Sequence, residues 1–319
     1  MPKSRPLALA AALALLLGAC GQAPAPKSRP APRRPKVVTG FTLRQIATLP
    51  VPAEGLAAAV EGGVVTIFGG LGPQGSLASI YRLHGGTLAA AGQLPLPIHD
   101  LAAAPLPAGG LLVAGGGQVA SFDHVYRYRA GQMEPFAVLP TPRSDLAAVP
   151  LDKAVYLIGG YTGSSFLATI LRVDADGRIT TAGQLPLGLR YVGAAALGGR
   201  IYLFGGLAVQ GYQAAIYRFT PGRGPLRVGR LPVAVRAPLV AAGGGGILVA
   251  GGESAPGQDQ AVVYWYTPGA GLRSIGKLPA PLALGAAVYL GHDRFVLIGG
   301  EDGGEIAQGV FLLTLQRRP

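Results

Sequence analysis

The chain has one cysteine, one tryptophan and two methionines in 319 residues, and charged residues make up only 13% of it. A single Cys, at position 20, excludes a disulfide within the chain, and no Cys or His pair has zinc-like spacing. No serine-centred G-x-S-x-G elbow and no phosphate-cradling P-loop is present. The longest apolar run, Leu7 to Leu17, is eleven residues, short of the roughly 20 a membrane-spanning helix needs. Acids are scarce, at 15 against 27 Lys and Arg, which gives a net charge of +12. Seven of the bases precede residue 40 and two stand at 317 and 318, so the body carries only about +3. Basic runs without interleaved aromatics, and no nucleic-acid-binding module, argue against a nucleic-acid partner.

What is abundant is glycine, at 51, and proline, at 28. They recur in register. Six apolar runs end on a Gly-Gly pair, starting at Gly69, Gly115, Gly159, Gly205, Gly251 and Gly299, with spacings of 44 to 48 residues. A second marker, Leu-Pro, keeps phase with it at Leu49, Leu94, Leu139, Leu185, Leu231 and Leu278. A period in this range denotes a repeat architecture. Each unit reads as four strands: a small-residue strand a after Leu-Pro, strand b ending on Gly-Gly, strand c such as SIYRL from Ser79, and strand d such as ITTAGQLP from Ile179. The sixth unit stops after its strand c, while FTLRQIATLP from Phe41 matches strand d with no blade before it. The expectation is an all-β, six-bladed β-propeller over residues 41–316, with the N-terminal strand completing the last blade and closing the ring.

Ahead of it, Lys3 and Arg5 precede the apolar stretch, then Gly18, Ala19 and Cys20. This pattern suits an export signal over residues 1–19. LGAC, ending at Cys20, resembles the lipobox of bacterial lipoproteins, and the resemblance implies lipidation of Cys20 and attachment to the cell envelope. Residues 20–40 are rich in Pro and bases and free of acids, a semi-rigid spacer of about 3.1 Å per residue. Its bases Lys27, Arg29, Arg33, Arg34 and Lys36 suit an anionic membrane surface.

The repeat resembles the kelch repeat, on the Gly-Gly ending strand b, the aromatic about eleven positions on (Tyr81, Tyr126, Tyr217, Tyr264, Phe311) and the strand d that follows. It departs from kelch in strand d, where a Trp is usual and this chain has Leu, Phe or Ile; its only Trp is Trp265, in strand c.

Residue types that recur in most blades serve the blade, as with Arg82, Arg127, Arg172 and Arg218; types that differ at equivalent positions are free to serve a ligand. Four residues past each Leu-Pro proline stand Glu54, His99, Ser144, Arg190, Arg236 and Ala283, and five past stand Gly55, Asp100, Asp145, Tyr191, Ala237 and Leu284. Up-and-down strand order puts these on one face, at the mouth of the central channel. The b-to-c loops add Tyr161, Gln210, Tyr212, Glu253, Asp259, Glu301 and Asp302. The candidate ligand-binding residues are therefore Glu54, His99, Asp100, Arg143, Asp145, Tyr161, Arg190, Tyr191, Arg236, Glu253 and Glu301. Arg143, Arg190 and Arg236 suit an anionic or sugar-like group, with acids and aromatics as orienters. Arg190 and Glu54 stand in opposite blades, which places an Arg-carboxylate pair across the channel. Solvated loop charges that neutralise each other account for any one of these residues; the face as a whole reads as a binding surface. The DADG at Asp174 lacks the later ligands of a calcium loop and reads as a β-turn.

Two functions follow. The first is a lipid-anchored, monomeric binding module with no cofactor, metal or assigned catalytic residue, presenting this face to a glycan, peptide or envelope protein. The second is an enzyme similar to the bacterial kelch-type sialic-acid mutarotases, in which Arg190 or Arg236 would hold a substrate carboxylate and Glu54 or His99 move a ring proton. A copper radical oxidase of the galactose-oxidase type is excluded, since its cross-linked Tyr needs a Cys that the body lacks.

Overall fold

The computed structural model describes residues 37–318, and the export signal, Cys20 and the spacer up to residue 36 lie outside them. The described residues contain no helix. They form six four-stranded antiparallel sheets in which sequence-adjacent strands pair, plus three two-stranded hairpins in b-to-c loops. The inner strands are Ala57–Glu61, His99–Pro105, Ala147–Leu151, Gly193–Leu197, Leu239–Gly243 and Ala286–Gly291. Their small side chains line the channel, in which a cavity of about 380 Å³ is walled almost wholly by Ala, Val and Pro. The ring closes as the termini imply: Val37–Thr48 pairs with Gly309–Arg318, supplying the outer strand of the sixth blade. That strand begins four residues before Phe41, inside the segment that composition alone assigns to the spacer.

The core lies between the blades, divided into six hydrophobic clusters that each join two neighbours. Strand b is buried on both faces; Val65 to Phe68 and Leu111 to Gly117 are examples. This explains its unbroken apolar run, because one face packs on each neighbouring blade.

The Gly-Gly pair stitches blade to blade. The second glycine donates its N–H to the next blade's loop, as in Gly70 to Ile98 O (2.9 Å), Gly116 to Arg143 O (2.9 Å) and Gly160 to Leu189 O (2.8 Å). The first glycine has φ between 52° and 64° throughout, and a Cβ on it would overlap the same carbonyl oxygen. Only glycine meets both conditions.

Candidate functional site

Immediately past each Gly-Gly, the chain returns to its own strand a for one further bridge: Glu54 with Leu71, Ser144 with Tyr161, Arg190 with Leu207, Arg236 with Glu253 and Ala283 with Glu301. These bridges fix side chains at the channel mouth at the positions four past each Leu-Pro proline. One position further, the backbone forms a closed ring. Asp100 N donates to Gly55 O, Asp145 N to Asp100 O, Tyr191 N to Asp145 O, Ala237 N to Tyr191 O, Leu284 N to Ala237 O and Gly55 N to Leu284 O, at 2.7 to 3.3 Å. All six residues take the left-handed conformation, with φ from 47° to 59°, although only one of them is glycine. That conformation costs an ordinary residue about 1–2 kcal/mol, offset here by pairing amides that would otherwise be orphaned at the channel mouth. With the six residues that follow, the ring encloses a cavity of about 120 Å³.

The side chains divide into two arcs. Over the second to fifth blades, charges are satisfied internally. Arg190 Nε lies 2.6 Å from Asp145 Oδ2, an ionic contact in which neither Asp145 oxygen has an aligned hydrogen-bond donor. The Arg190 guanidinium sits 4.4 Å from the Tyr161 ring and 4.7 Å from the Tyr191 ring, with Phe166 at 5.8 Å. Tyr191 Oη donates to Asp100 Oδ2 (2.8 Å), and Arg236 covers the Tyr191 ring at 4.9 Å while pairing with the buried Glu253. His99 Nδ1 hydrogen-bonds Ser76 Oγ (2.8 Å), and its Nε2 stands 3.8 Å from Asp100. Burial opposes the charge on Arg236, but the Glu253 bond more than offsets this and raises its pKa. Burial, then the neighbouring carboxyl, raises Asp145, and burial also raises Asp100, while the Arg190 charge opposes both shifts. Burial lowers His99 and favours its neutral form.

The other arc, from the fifth blade through the sixth to the first, is acidic. The Glu301 carboxyl lies close to that of Glu54; burial first and then Glu301 push Glu54 up to about 7. Asp259 accepts Gly303 N (2.8 Å) and is pushed up to about 6 by burial, with Glu301, Glu253 and Asp302 adding repulsion. Its Oδ1 is buried without a hydrogen-bond partner.

The structure thus brings together ten of the eleven candidates; Arg143 stands apart. It is 1% exposed and donates to Gly159 O (3.1 Å) and Thr169 Oγ1 (3.3 Å), a cation between blades rather than at the mouth. Equivalent positions hold Ala53, Ile98, Leu189, Val235 and Leu282, so Arg143 fills an apolar slot and burial lowers its pKa to about 10. Arg190 pairs with Asp145 of the adjacent blade and not with Glu54. Ser76 and Phe166, which steady His99 and Arg190, escape sequence reading because b-to-c loops share no template. Among the described residues no group of His, Asp and Glu is arranged to hold a metal ion.

No family model matches the chain, and no curated protein matches it. Among solved structures it is similar to that of YjhT, with a TM-score of 0.73 at 17% identity, covering 85% of this chain and 99% of that one. The likeness carries the fold alone: the chain is a six-bladed β-propeller.

Proposed function

We propose that the chain is a ligand-binding module, exported and held to the bacterial envelope by a lipid on Cys20, with the channel mouth as its binding surface. The observation that carries this is the mouth itself, where a uniform repeat gathers ten unlike, mostly half-buried polar and charged side chains. Arg190 and Arg236 already hold Asp145 and Glu253, so an anionic ligand would have to displace an internal partner. The acidic arc instead offers carboxyl oxygens to hydroxyl or ammonium groups, which suits a glycan or a basic peptide. An array of neutral, amino-bearing and acidic glycans and peptides tests it. Neutral or cationic ligands are expected to bind and to lose affinity on Glu301→Gln; binding restricted to acidic ligands overturns it. The anchor has its own test, since Cys20→Ser is expected to release the protein from the membrane fraction.

A second reading, a sugar-isomerising enzyme similar to kelch-type sialic-acid mutarotases, is favoured by one feature. Glu54 has a pKa of about 7 beside Glu301, which fits a group that both donates and accepts a proton near neutrality. Anomer exchange followed by NMR over a sugar panel tests this; acceleration lost on Glu54→Gln supports it, and uncatalysed rates throughout refute it.

A further inference from the structure

The face opposite the mouth has the reverse charge. Nine of the fifteen acids stand in the loops and strand ends of the mouth side: Glu54, Asp100, Asp123 and Asp145, then Glu253, Asp259, Glu301, Asp302 and Glu305 in the last two blades. The a-to-b and c-to-d turns of the opposite side present Arg129, Lys153, Arg178, Arg200, Arg223 and Arg294, all exposed. Five acids share those turns, but four are engaged: Glu61 accepts Gly110 N (2.5 Å), Asp176 accepts Arg178 N (3.1 Å), Asp174 pairs with Arg172 (2.6 Å) and Asp293 with Arg317 (2.7 Å). Val37 pairs with Arg318 at this same face, so the chain enters the propeller here, directly after the bases of residues 27–36.

We infer that this basic face docks on an anionic lipid surface, leaving the acidic mouth pointing away from it. Three observations converge on a lipid surface as the partner: bases spread over turns of several blades, chain entry on that face, and a basic segment leading into it. A broad, shallow array suits a planar anionic surface, which needs no shape complementarity and contributes up to about 1 kcal/mol per nearby Lys or Arg, screened by salt. The inference deepens the proposed location but does not need the lipid on Cys20, and the experiment removes that lipid.

Full-length chain carrying Cys20→Ser would be sedimented with phosphatidylcholine vesicles and with mixed phosphatidylglycerol–phosphatidylcholine vesicles at low and high salt. Binding is expected only to the mixed vesicles, and to fall with salt. Combined Lys153→Glu, Arg200→Glu and Arg294→Glu should weaken it about tenfold or more. Arg230→Glu with Lys277→Glu, exposed strand ends on the mouth side, should change it less than about twofold. Neutralising the five bases of residues 27–36 separates their share from that of the face. If the triple charge reversal melts below the parent, the Gln versions of the same three positions replace it. Unchanged binding by the triple variant, equal losses in both reversal variants, or capture by a soluble polyanion such as heparin without vesicle binding each overturns the inference. Ligand binding at the mouth is not read in this experiment, so its failure leaves the proposed function standing.

Discussion

The two faces of this propeller are built from the same four-strand unit and differ in what their connections must do. The turns opposite the mouth are short and glycine-rich, as at Gly62–Gly63, Gly85–Gly86 and Gly198–Gly199, where an added Cβ would meet open space. Their charges are exposed and exchangeable. At the mouth each connection makes a strand bridge, a hydrogen bond to the next blade and a link in the six-residue ring. There the charges are partly desolvated, and over the second to fifth blades they are committed to partners, as Arg236 is to Glu253. On one face water solvates the charges; on the other it is partly excluded, so each charge there depends more on its neighbours.

The comparison is broken most directly by removing one arginine from each face. Arg236→Ala leaves Glu253, 2% exposed, as a buried carboxylate without its counter-ion, held by the Gly257 N–H. Its expected cost is about 3–5 kcal/mol in denaturant unfolding, against about 0.5 kcal/mol or less for Arg294→Ala. Comparable costs for the two would remove the distinction between the faces. Adding Glu253→Gln to Arg236→Ala should recover much of the loss.

Arg143→Leu tests whether the one mouth-side arginine that lies between blades is structural. Four of the equivalent blade positions hold Ile, Leu or Val, so a stability change within about 1.5 kcal/mol, measured by thermal melting, with ligand binding unaltered, is expected.

The ring makes a smaller prediction of opposite sign. Ala237 sits at φ 47°, and Ala237→Gly should raise stability by up to about 1 kcal/mol by relieving left-handed strain, net of glycine's entropy. A destabilisation of that size would mean the ring conformation is not strained.

The last prediction is a slope in pH. Glu54 is raised from 4.5 to about 7, so between those values the folded chain holds a proton that the unfolded chain releases. Its stabilising contribution is present below pH 4.5 and is lost as pH rises through 7. His99, lowered by burial, acts the other way, losing stability as pH falls through its ordinary 6.5. Melting temperatures measured between pH 5 and 8 should decline with pH, since Asp259, Asp100 and Asp145 are raised as well, and Glu54→Gln should make the decline shallower without abolishing it.

Fold and site were legible to different depths. Gly-Gly and Leu-Pro recur at fixed phase because each blade repeats the same inter-blade hydrogen bond and the same buried leucine, so blade number and strand order are periodic signals. The mouth was legible as a location, since counting from Leu-Pro picks out Glu54, Arg190 and Arg236. Arg143 was misplaced by one residue of phase: it precedes the bridge position, where the chain still points between blades. The choice by Arg190 of Asp145 over Glu54 was not legible either, because both carboxylates are distant in sequence and only rim geometry decides between them.

The sequence by itself determined six blades, their four-strand order and the closure of the last by the first strand. Those features repeat, and repetition survives in one dimension. The tertiary structure decided that the positions five past each proline would lock into a left-handed ring, that the arginines of the mouth would be taken by internal acids, and that the Glu54–Glu301 arc would stay open. These outcomes depend on contacts between neighbouring blades about 45 residues apart and on left-handed backbone conformations at Asp100, Asp145, Tyr191, Ala237 and Leu284 that the closed ring of hydrogen bonds holds in place.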